Sequence, residues 1–124
     1  MQLTKNEEDY LEIIHLLNKE KKIAKVKEIS SKLNVSLPSV TGMIKKLANK
    51  DLVNYCKYSP ITLTSKGNLI AKTVYAKHKV LTTFFIQLGV SSTTASHDAC
   101  LAEHILSKET INKIKEFISK NKEI

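Results

Sequence analysis

The 124-residue chain contains no arginine, only three glycines and two cysteines, and no apolar run long enough to span a bilayer, which takes about 20 residues. Three scattered glycines cannot supply a glycine-rich loop that cradles phosphate. Two cysteines, Cys56 and Cys100, are too few for a disulfide framework, so we expect reduced thiols. Without a guanidinium fork, any reading of guanine must be sparse or must use other groups.

The cationic side chains, all of them lysines, are concentrated in the middle of the chain. Residues 1–18 carry one lysine and four acidic residues. Residues 19–66 carry eleven lysines and three acidic residues, and residues 67–124 carry eight lysines and five acidic residues. The formal net charges of these segments are therefore −3, +8 and +3. A positive footprint of this kind predicts a polyanionic partner, double-stranded DNA. The alternative is a solvated lysine-rich surface that serves solubility.

The first residues give no indication of export. Residues 1–17 are acidic at the front and lack the basic start and the small-residue cleavage site of a signal peptide. We therefore expect a soluble cytoplasmic protein with no membrane partner.

The N-terminal half predicts a helix-turn-helix. The stretch Thr4-Lys5-Asn6-Glu7 is a capping box that opens a first helix. A short second helix over about 26–33 is followed by Asn34, which tolerates the positive φ of a tight turn. Ser36 then caps a third helix with Pro38 in its first turn. The apolar positions of these helices are expected to be buried: Leu11, Ile14, Leu17, Ile29, Leu33, Val40, Ile44 and Leu47.

A hairpin follows directly. Residues 52–57 and 61–63 are typical of short strands around a turn at residues 58–60. A hairpin placed after a helix-turn-helix is the wing of a winged-helix domain.

Three amphipathic helices are predicted after the wing, over about 64–89, 91–106 and 107–122. The expected fold is mainly α: a winged helix-turn-helix DNA-binding domain over 1–66 and an all-helical metal-binding and dimerisation domain over 67–124. The appended helices carry apolar side chains that suit either a two-fold dimer seam or packing within the monomer. These side chains are Phe84, Phe85, Leu88, Leu101 and Ile105.

Two groups of metal-capable side chains occur at helical spacing. Cys100, Glu103 and His104 stand at i, i+3 and i+4, and successive helical residues turn by about 100°, so all three project from one stripe. Asp9 and Glu12 share one face of the first helix in the same way. Thiolate, imidazole and carboxylate together suit a first-row divalent metal better than calcium or magnesium, which take only oxygen.

Four stretches of the sequence form a recognisable pattern: Val35-Ser-Leu-Pro-Ser-Val-Thr-Gly-Met-Ile-Lys-Lys-Leu47, Leu52-Val53, Leu63-Thr-Ser-Lys-Gly67 and Cys100-Leu-Ala-Glu-His104. Together they resemble the diphtheria toxin repressor and manganese transport regulator family of metal-dependent transcriptional repressors. The resemblance runs from about residue 6 to residue 120. It is closest to the short, two-domain form of the family, which lacks an SH3-like domain.

The resemblance implies a metal site whose ligands come from three helices. The positions that match are Asp9, Glu12, His78, Cys100, Glu103 and His104. Carboxylates and imidazoles suit Mn²⁺ or Fe²⁺, whereas a thiolate favours Fe²⁺, Co²⁺ or Zn²⁺. We expect Fe²⁺ or Mn²⁺ as the cofactor, with Co²⁺, Ni²⁺ or Zn²⁺ able to substitute. His97 lies three residues before Cys100, one fewer than the spacing in the iron-responsive branch, and does not belong to this set.

The resemblance also implies a function and a DNA-contact surface. The protein would be a homodimeric repressor of metal-uptake genes that binds a palindromic operator when its metal corepressor is present. An ion that joins the first helix to the two later ones would bias the equilibrium towards the DNA-ready state. Base and phosphate contacts are expected from the recognition helix and the wing: Ser36, Pro38, Ser39, Thr41, Lys45, Lys46, Lys50 and Lys57.

Two other functions compete with this one. A winged-helix regulator that does not respond to metal would bind DNA equally at all metal concentrations. A thiol or metal enzyme would use Cys100 as nucleophile or zinc ligand and His104 as base. Close neighbours on one helix rarely reach that geometry, and no oxyanion-hole loop is evident. We therefore expect no enzymatic activity. Taken singly, His15 is expected to be structural and Cys56 to be inert packing.

Overall fold

The computed structural model describes residues 3–20 and 23–121. Within these residues the helices are α1 (Lys5–Lys19), α2 (Val26–Leu33), α3 (Leu37–Asn49), α4 (Ser65–Gln87), α5 (Ser92–Ala102) and α6 (Lys108–Asn121). Two strands, β1 (Val53–Asn54) and β2 (Thr62–Leu63), form one antiparallel pair. The mainly helical fold is confirmed, and the predicted end of the last helix at residue 122 lies outside the described residues. None of the described helices is long and apolar enough to span a bilayer.

The chain forms two compact units, Met1–Lys72 and Thr73–Ile124. The division falls inside α4, a few residues after the boundary expected between residues 66 and 67. That boundary stays a prediction.

The start of α1 is fixed by the capping box that the sequence predicts. Thr4 Oγ1 accepts a hydrogen bond from the Glu7 backbone N–H (3.1 Å), and Glu7 Oε1 accepts one from the Thr4 backbone N–H (2.9 Å). These two bonds satisfy donors that a helix N-terminus otherwise leaves unpaired.

The turn between α2 and α3 is also as predicted. Asn34 adopts the left-handed conformation, with φ 57° and ψ 50°. Ser36 caps α3 by accepting a hydrogen bond from the Ser39 backbone N–H (3.3 Å), and Pro38 lies in the first turn. The predicted apolar faces of α1, α2 and α3 pack into one core whose fully buried members include Leu11, Ile14, Ile29, Val40, Ile44 and Leu47, while Leu33 packs at its edge.

The wing strands are shorter than the sequence suggests. Pairing is limited to Val53 with Leu63 and Asn54 with Thr62. The predicted start of the second strand cannot pair across the hairpin, because the Ile61 N–H donates instead to the carbonyl of Ala24 (2.7 Å). Tyr58, in the predicted turn, takes a positive φ of 68°.

The second unit has a smaller core of Leu81, Ala99 and Ile111, against which Phe85 and Ile114 are partly buried. Ser107 caps α6 as expected, since its Oγ accepts a hydrogen bond from the Thr110 backbone N–H (3.2 Å). Of the candidate seam residues, Leu88, Leu101 and Ile105 are exposed to 64%, 51% and 80%, whereas Phe84 and Phe85 are only half-buried. These exposed apolar side chains remain available to a partner.

The prediction for the fifth helix was wrong at its end. The helix was expected over 91–106, but α5 ends at Ala102, with Glu103 as its C-cap. Both the Ile105 and Leu106 backbone N–H groups donate to the Ala102 carbonyl (3.1 Å each), which tightens the chain into a turn. His104 therefore lies beyond the helix, so Cys100, Glu103 and His104 do not form one continuous helical stripe.

Candidate metal centre and DNA-contact surface

Three of the predicted metal ligands converge within the second unit. His78 projects from the middle of α4, Cys100 from the last turn of α5, and Glu103 from the C-cap of α5. His78 Nδ1 lies 3.0 Å from Glu103 Oε2 and 3.7 Å from Cys100 Sγ. One ligand atom from each residue lies within 4.8 Å of the other two, a separation that a single ion can span.

Local structure explains how Glu103 comes to face His78 although α5 has ended. The Glu103 backbone N–H still donates to the Ala99 carbonyl (2.9 Å), and its φ and ψ of −60° and −22° are helical. The offset of three residues from Cys100 therefore keeps the helical direction that the sequence predicts. The spacing argument holds for Cys100 and Glu103, whereas His104 lies beyond the end of α5.

The electrostatics of Glu103 fit a bound cation. The side chain is 1% exposed, and its Oε1 atom accepts no hydrogen bond from the described residues. His104 Nε2 lies 3.3 Å from that oxygen, close enough for an ion pair but outside hydrogen-bond geometry. A buried carboxylate oxygen without a hydrogen bond is costly, and a divalent cation would compensate it. The donor set of thiol, imidazole and carboxylate suits a transition metal.

Side chains around His78 that the sequence did not single out orient its ring. Ser96 Oγ lies 3.5 Å from Nε2, at the opposite edge from Cys100 and Glu103. The Tyr75 ring is stacked nearly parallel to the imidazole, with centroids 6.4 Å apart. A hydrogen-bond partner at one ring nitrogen, as Ser96 is at Nε2, leaves the other nitrogen to face a metal. Thr82, one turn later on α4, donates a hydrogen bond to the His78 carbonyl (2.8 Å).

Two of the remaining predicted ligands, Asp9 and Glu12, lie in the first unit, on α1. Asp9 forms an ion pair with Lys5, one helical turn earlier (2.7 Å), and Glu12 is buried at 8% exposure. The roles of Asp9 and Glu12 as ligands stay predictions, as does that of His104.

Two histidines and one cysteine outside the predicted ligand set, His15, His97 and Cys56, differ in how far they are buried. His15 is half-buried, and burial lowers its pKa although a hydrogen bond with Asn68 opposes that effect. His97 is exposed on α5. Cys56 is exposed rather than packed, so its interpretation as buried packing was wrong.

The predicted DNA-contact residues of α3 lie on an accessible surface. Ser36, Pro38, Ser39, Lys45 and Lys46 are exposed, and Thr41 is half-buried. Backbone N–H groups at this capped N-terminus are suited to bind phosphate.

An open groove of about 830 Å³ lies beside α3, between the start of α2 and the wing. Four lysines line it, namely Lys25, Lys27, Lys45 and Lys57, together with Tyr55 and Tyr58, and no acidic side chain of the described residues does. Tyr58 is 90% exposed, and the Lys57 Nζ lies 5.2 Å from the centre of its ring. Sequence reasoning missed Lys25 and Lys27, although both belong to the strongly positive segment over 19–66.

Lys50 has a different environment from the other predicted contacts. Its Nζ donates a hydrogen bond to Glu7 Oε2 (2.5 Å), and Lys46 Nζ lies 3.9 Å from the same oxygen. The hydrogen bond from Lys50 and then that from the Thr4 backbone hold the pKa of Glu7 below its usual range. Lys50 is therefore paired with a buried carboxylate within the first unit.

Comparison with known proteins agrees with both units. Residues 2–61 match the N-terminal DNA binding domain of the iron dependent repressor family, and residues 64–123 match its metal binding and dimerisation domain. An HTH-type transcriptional regulator of Methanocaldococcus jannaschii is 43% identical over 118 residues, which is 94% of each chain.

Two further similar proteins are also regulators. The HTH-type transcriptional regulator MntR of Shouchella clausii is 37% identical over 93% of this chain and 80% of its own. The structure of the manganese regulator SloR superposes with a TM-score of 0.82 at 33% identity. That comparison covers 94% of this chain and 55% of SloR, so this chain spans about half the length of that protein.

Proposed function

The chain belongs to the iron dependent repressor family of metal-dependent transcriptional repressors, and from that premise we propose that Fe²⁺ or Mn²⁺ is its corepressor at metal-uptake genes. Members of the family are transcriptional regulators and not enzymes. The observation that supports the metal role most directly is the buried Glu103 carboxylate, which meets His78 and Cys100 with one oxygen left without a hydrogen bond.

The proposed ligands extend beyond these three residues to His104 and, from α1, Asp9 and Glu12. When bound, the ion supplies a positive charge that compensates anionic ligands which otherwise repel one another. The donor types support Fe²⁺ or Mn²⁺ as physiological ions, and Co²⁺, Ni²⁺ or Zn²⁺ would substitute because the site's raw affinity follows ligand chemistry and not cellular availability.

On the DNA side, we propose that the protein binds a palindromic operator as a homodimer. The N-terminus of α3 would contact base edges, while Lys45 and Lys46 would contact phosphates and Lys57 would do so from the wing. Successive major grooves are about 34 Å apart, which sets the half-site spacing for a two-fold dimer. The exposed Leu88, Leu101 and Ile105 supply apolar surface for the dimer seam.

The test is DNA affinity measured by fluorescence anisotropy, first with a chelator and then with Mn²⁺, Fe²⁺ or Zn²⁺. We expect added metal to raise affinity by about tenfold or more, which corresponds to roughly 1.4 kcal/mol of coupling. A scrambled duplex of the same length serves as the control. Tight specific binding that is indifferent to every ion would support the alternative, a winged-helix regulator that metal does not control.

The groove lysines give a separate prediction about phosphate contacts. Replacing Lys27 by alanine is expected to weaken binding to all duplexes and to reduce the slope of log affinity against log salt by about 0.9, because one phosphate contact is lost. Lys108→Ala, which removes the same charge from an exposed position on α6, is expected to leave the slope unchanged. Salt titration of both variants measures the difference, and equal slopes would remove Lys27 from the DNA-contact surface.

A further inference from the structure

Glu7 joins the first turn of α1 to the last turn of α3. Its side chain is 1% exposed, and each carboxylate oxygen has its own partner. Oε1 accepts the hydrogen bond from the Thr4 backbone N–H, whereas Oε2 accepts that from Lys50, the C-cap residue of α3. Lys46, one turn earlier on α3, is the second cation near Oε2 at 3.9 Å. We call Glu7, Lys46 and Lys50 the α1–α3 bridge.

Stability alone is a weak explanation for such a pair. Burying a carboxylate and an ammonium group costs desolvation, and replacing buried ion pairs by apolar side chains is often neutral or stabilising. What a charge-assisted hydrogen bond adds is direction, since it holds two groups at a fixed distance and angle. The apolar core that α1 and α3 also share is non-directional and tolerates small displacements of one helix along another.

The two helices joined by the bridge carry the two proposed functions of the protein. Asp9 follows Glu7 by two residues and Glu12 follows it by five, so all three move as one rigid helix. At the other end, Lys50 closes the helix whose N-terminus presents Ser36 to DNA. A displacement of α1 would therefore reach α3 through the hydrogen bond from Lys50 to Glu7, at one defined point.

We propose that Glu7 is a positioning residue that couples metal binding on α1 to the orientation of the recognition helix α3, and that Lys50 serves this coupling and not the DNA backbone. The proposal rests on the proposed function, because it requires that metal raises DNA affinity. It adds the route within the first unit by which α1 acts on α3.

The experiment compares the ratio of DNA affinities with saturating Mn²⁺ and with chelator for the full-length wild type and its variants. In Glu7→Gln we expect this ratio to fall from about tenfold or more to below about threefold. Affinity for Mn²⁺ without DNA, followed by thermal shift, should stay within about threefold of wild type, because Glu7 is not a ligand. Lys50→Arg keeps the positive charge and should keep the ratio, whereas Lys50→Gln should lower it.

Controls separate coupling from charge and from folding. Glu28→Gln makes the same change in net charge at an exposed position of α2 and should keep the wild-type ratio. The double variant Glu7→Gln/Lys50→Gln should lose no more than either single variant, since both act through one contact. If Glu7→Gln does not fold, the ratio of DNA affinities measured for Lys50→Gln tests the coupling instead, because Lys50→Gln leaves the hydrogen bond between Thr4 and Glu7 intact.

The outcomes distinguish this proposal from the function on which it rests. A wild-type ratio of one would overturn the metal-dependent function and the bridge together. A wild-type ratio of about ten that persists in folded Glu7→Gln and Lys50→Gln would overturn the bridge alone. Equal weakening of DNA binding with and without Mn²⁺ would also overturn it, because a merely structural role lowers both affinities alike.

Discussion

Replacing Glu103 by glutamine is expected to abolish most of the stabilisation that divalent metal gives to the folded protein. The carboxylate is the buried anionic member of the group formed with His78 and Cys100, and the amide that replaces it carries no charge for the ion. We expect the dissociation constant for Mn²⁺ to rise by about two orders of magnitude. Loss of a residue that only hydrogen-bonds to a metal ligand already weakens metal affinity by about 10- to 100-fold, and loss of a ligand should weaken it at least as much.

The expected effect can be expressed as free energy of unfolding. At a Mn²⁺ concentration about 100 times its dissociation constant, the wild type gains ~2.7 kcal/mol from binding. A variant whose affinity is about 100-fold weaker gains only ~0.4 kcal/mol at the same concentration. Without metal the variant should be no less stable than wild type, because glutamine removes a buried charge whose Oε1 lacks a hydrogen bond.

Thermal denaturation with chelator and with Mn²⁺ measures both quantities. Glu109→Gln is the matched control, since it makes the same chemical change at an exposed position of α6 and should keep the full metal-induced shift. If Glu103→Gln retained more than about half of the wild-type gain, Glu103 would not be a principal ligand.

Features set by neighbours in sequence were predictable. The caps at Thr4, Ser36 and Ser107 depend on hydrogen bonds across three residues, so the residue types alone indicate them. The left-handed turn at Asn34 depends on a single residue's backbone preference. These signals located the helix-turn-helix, and the apolar periodicity of its helices identified the core.

Features set by distant contacts were not predictable. The wing strand shortens because the Ile61 N–H binds the carbonyl of Ala24, a partner 37 positions earlier in the chain. The end of α5 was also missed although its hydrogen bonds are local, since the Ile105 and Leu106 N–H groups share the Ala102 carbonyl and no residue preference at 103–106 indicates that turn. Strand and helix ends were therefore wrong where such hydrogen bonds compete with the local pattern.

The candidate site shows the same division. Helical spacing predicted that Cys100 and Glu103 lie close together, and the family resemblance predicted that His78 belongs to the same site. The structure places His78 beside both residues. The pairing of Glu7 with Lys50 joins residues 43 positions apart, and no pattern within one sequence reports it. In the structure, Lys50 contacts a buried carboxylate, whereas Lys45 lines an open groove. The spacing of lysines along the sequence does not distinguish these two environments.

Replacing Gly67 by alanine is expected to destabilise the protein by about 3 kcal/mol or more, at the upper end of what overpacking costs. A Cβ atom at this position would lie 2.0 Å from the Leu52 carbonyl oxygen and 2.9 Å from its carbon. The carbonyl cannot move away freely, because it accepts a hydrogen bond from the Thr64 N–H (3.1 Å). The Thr64 hydroxyl in turn accepts from the Gly67 N–H (3.0 Å) and donates to the Asp51 carbonyl (2.7 Å).

Circular dichroism during heating tests this, with Gly42→Ala as the matched control. Gly42 is an exposed residue of α3, and a Cβ atom added to it would meet nothing within 4 Å, so alanine there should stabilise the helix by about 1 kcal/mol. Replacing glycine by alanine is thus expected to raise the stability of the protein at position 42 and to lower it at position 67. The midpoint should fall by roughly 10 °C or more for Gly67→Ala and rise by a few degrees for Gly42→Ala. A Gly67→Ala midpoint equal to that of wild type would mean that the start of α4 can move away from Leu52 at little cost. The close approach would then not fix the start of α4 within the first unit.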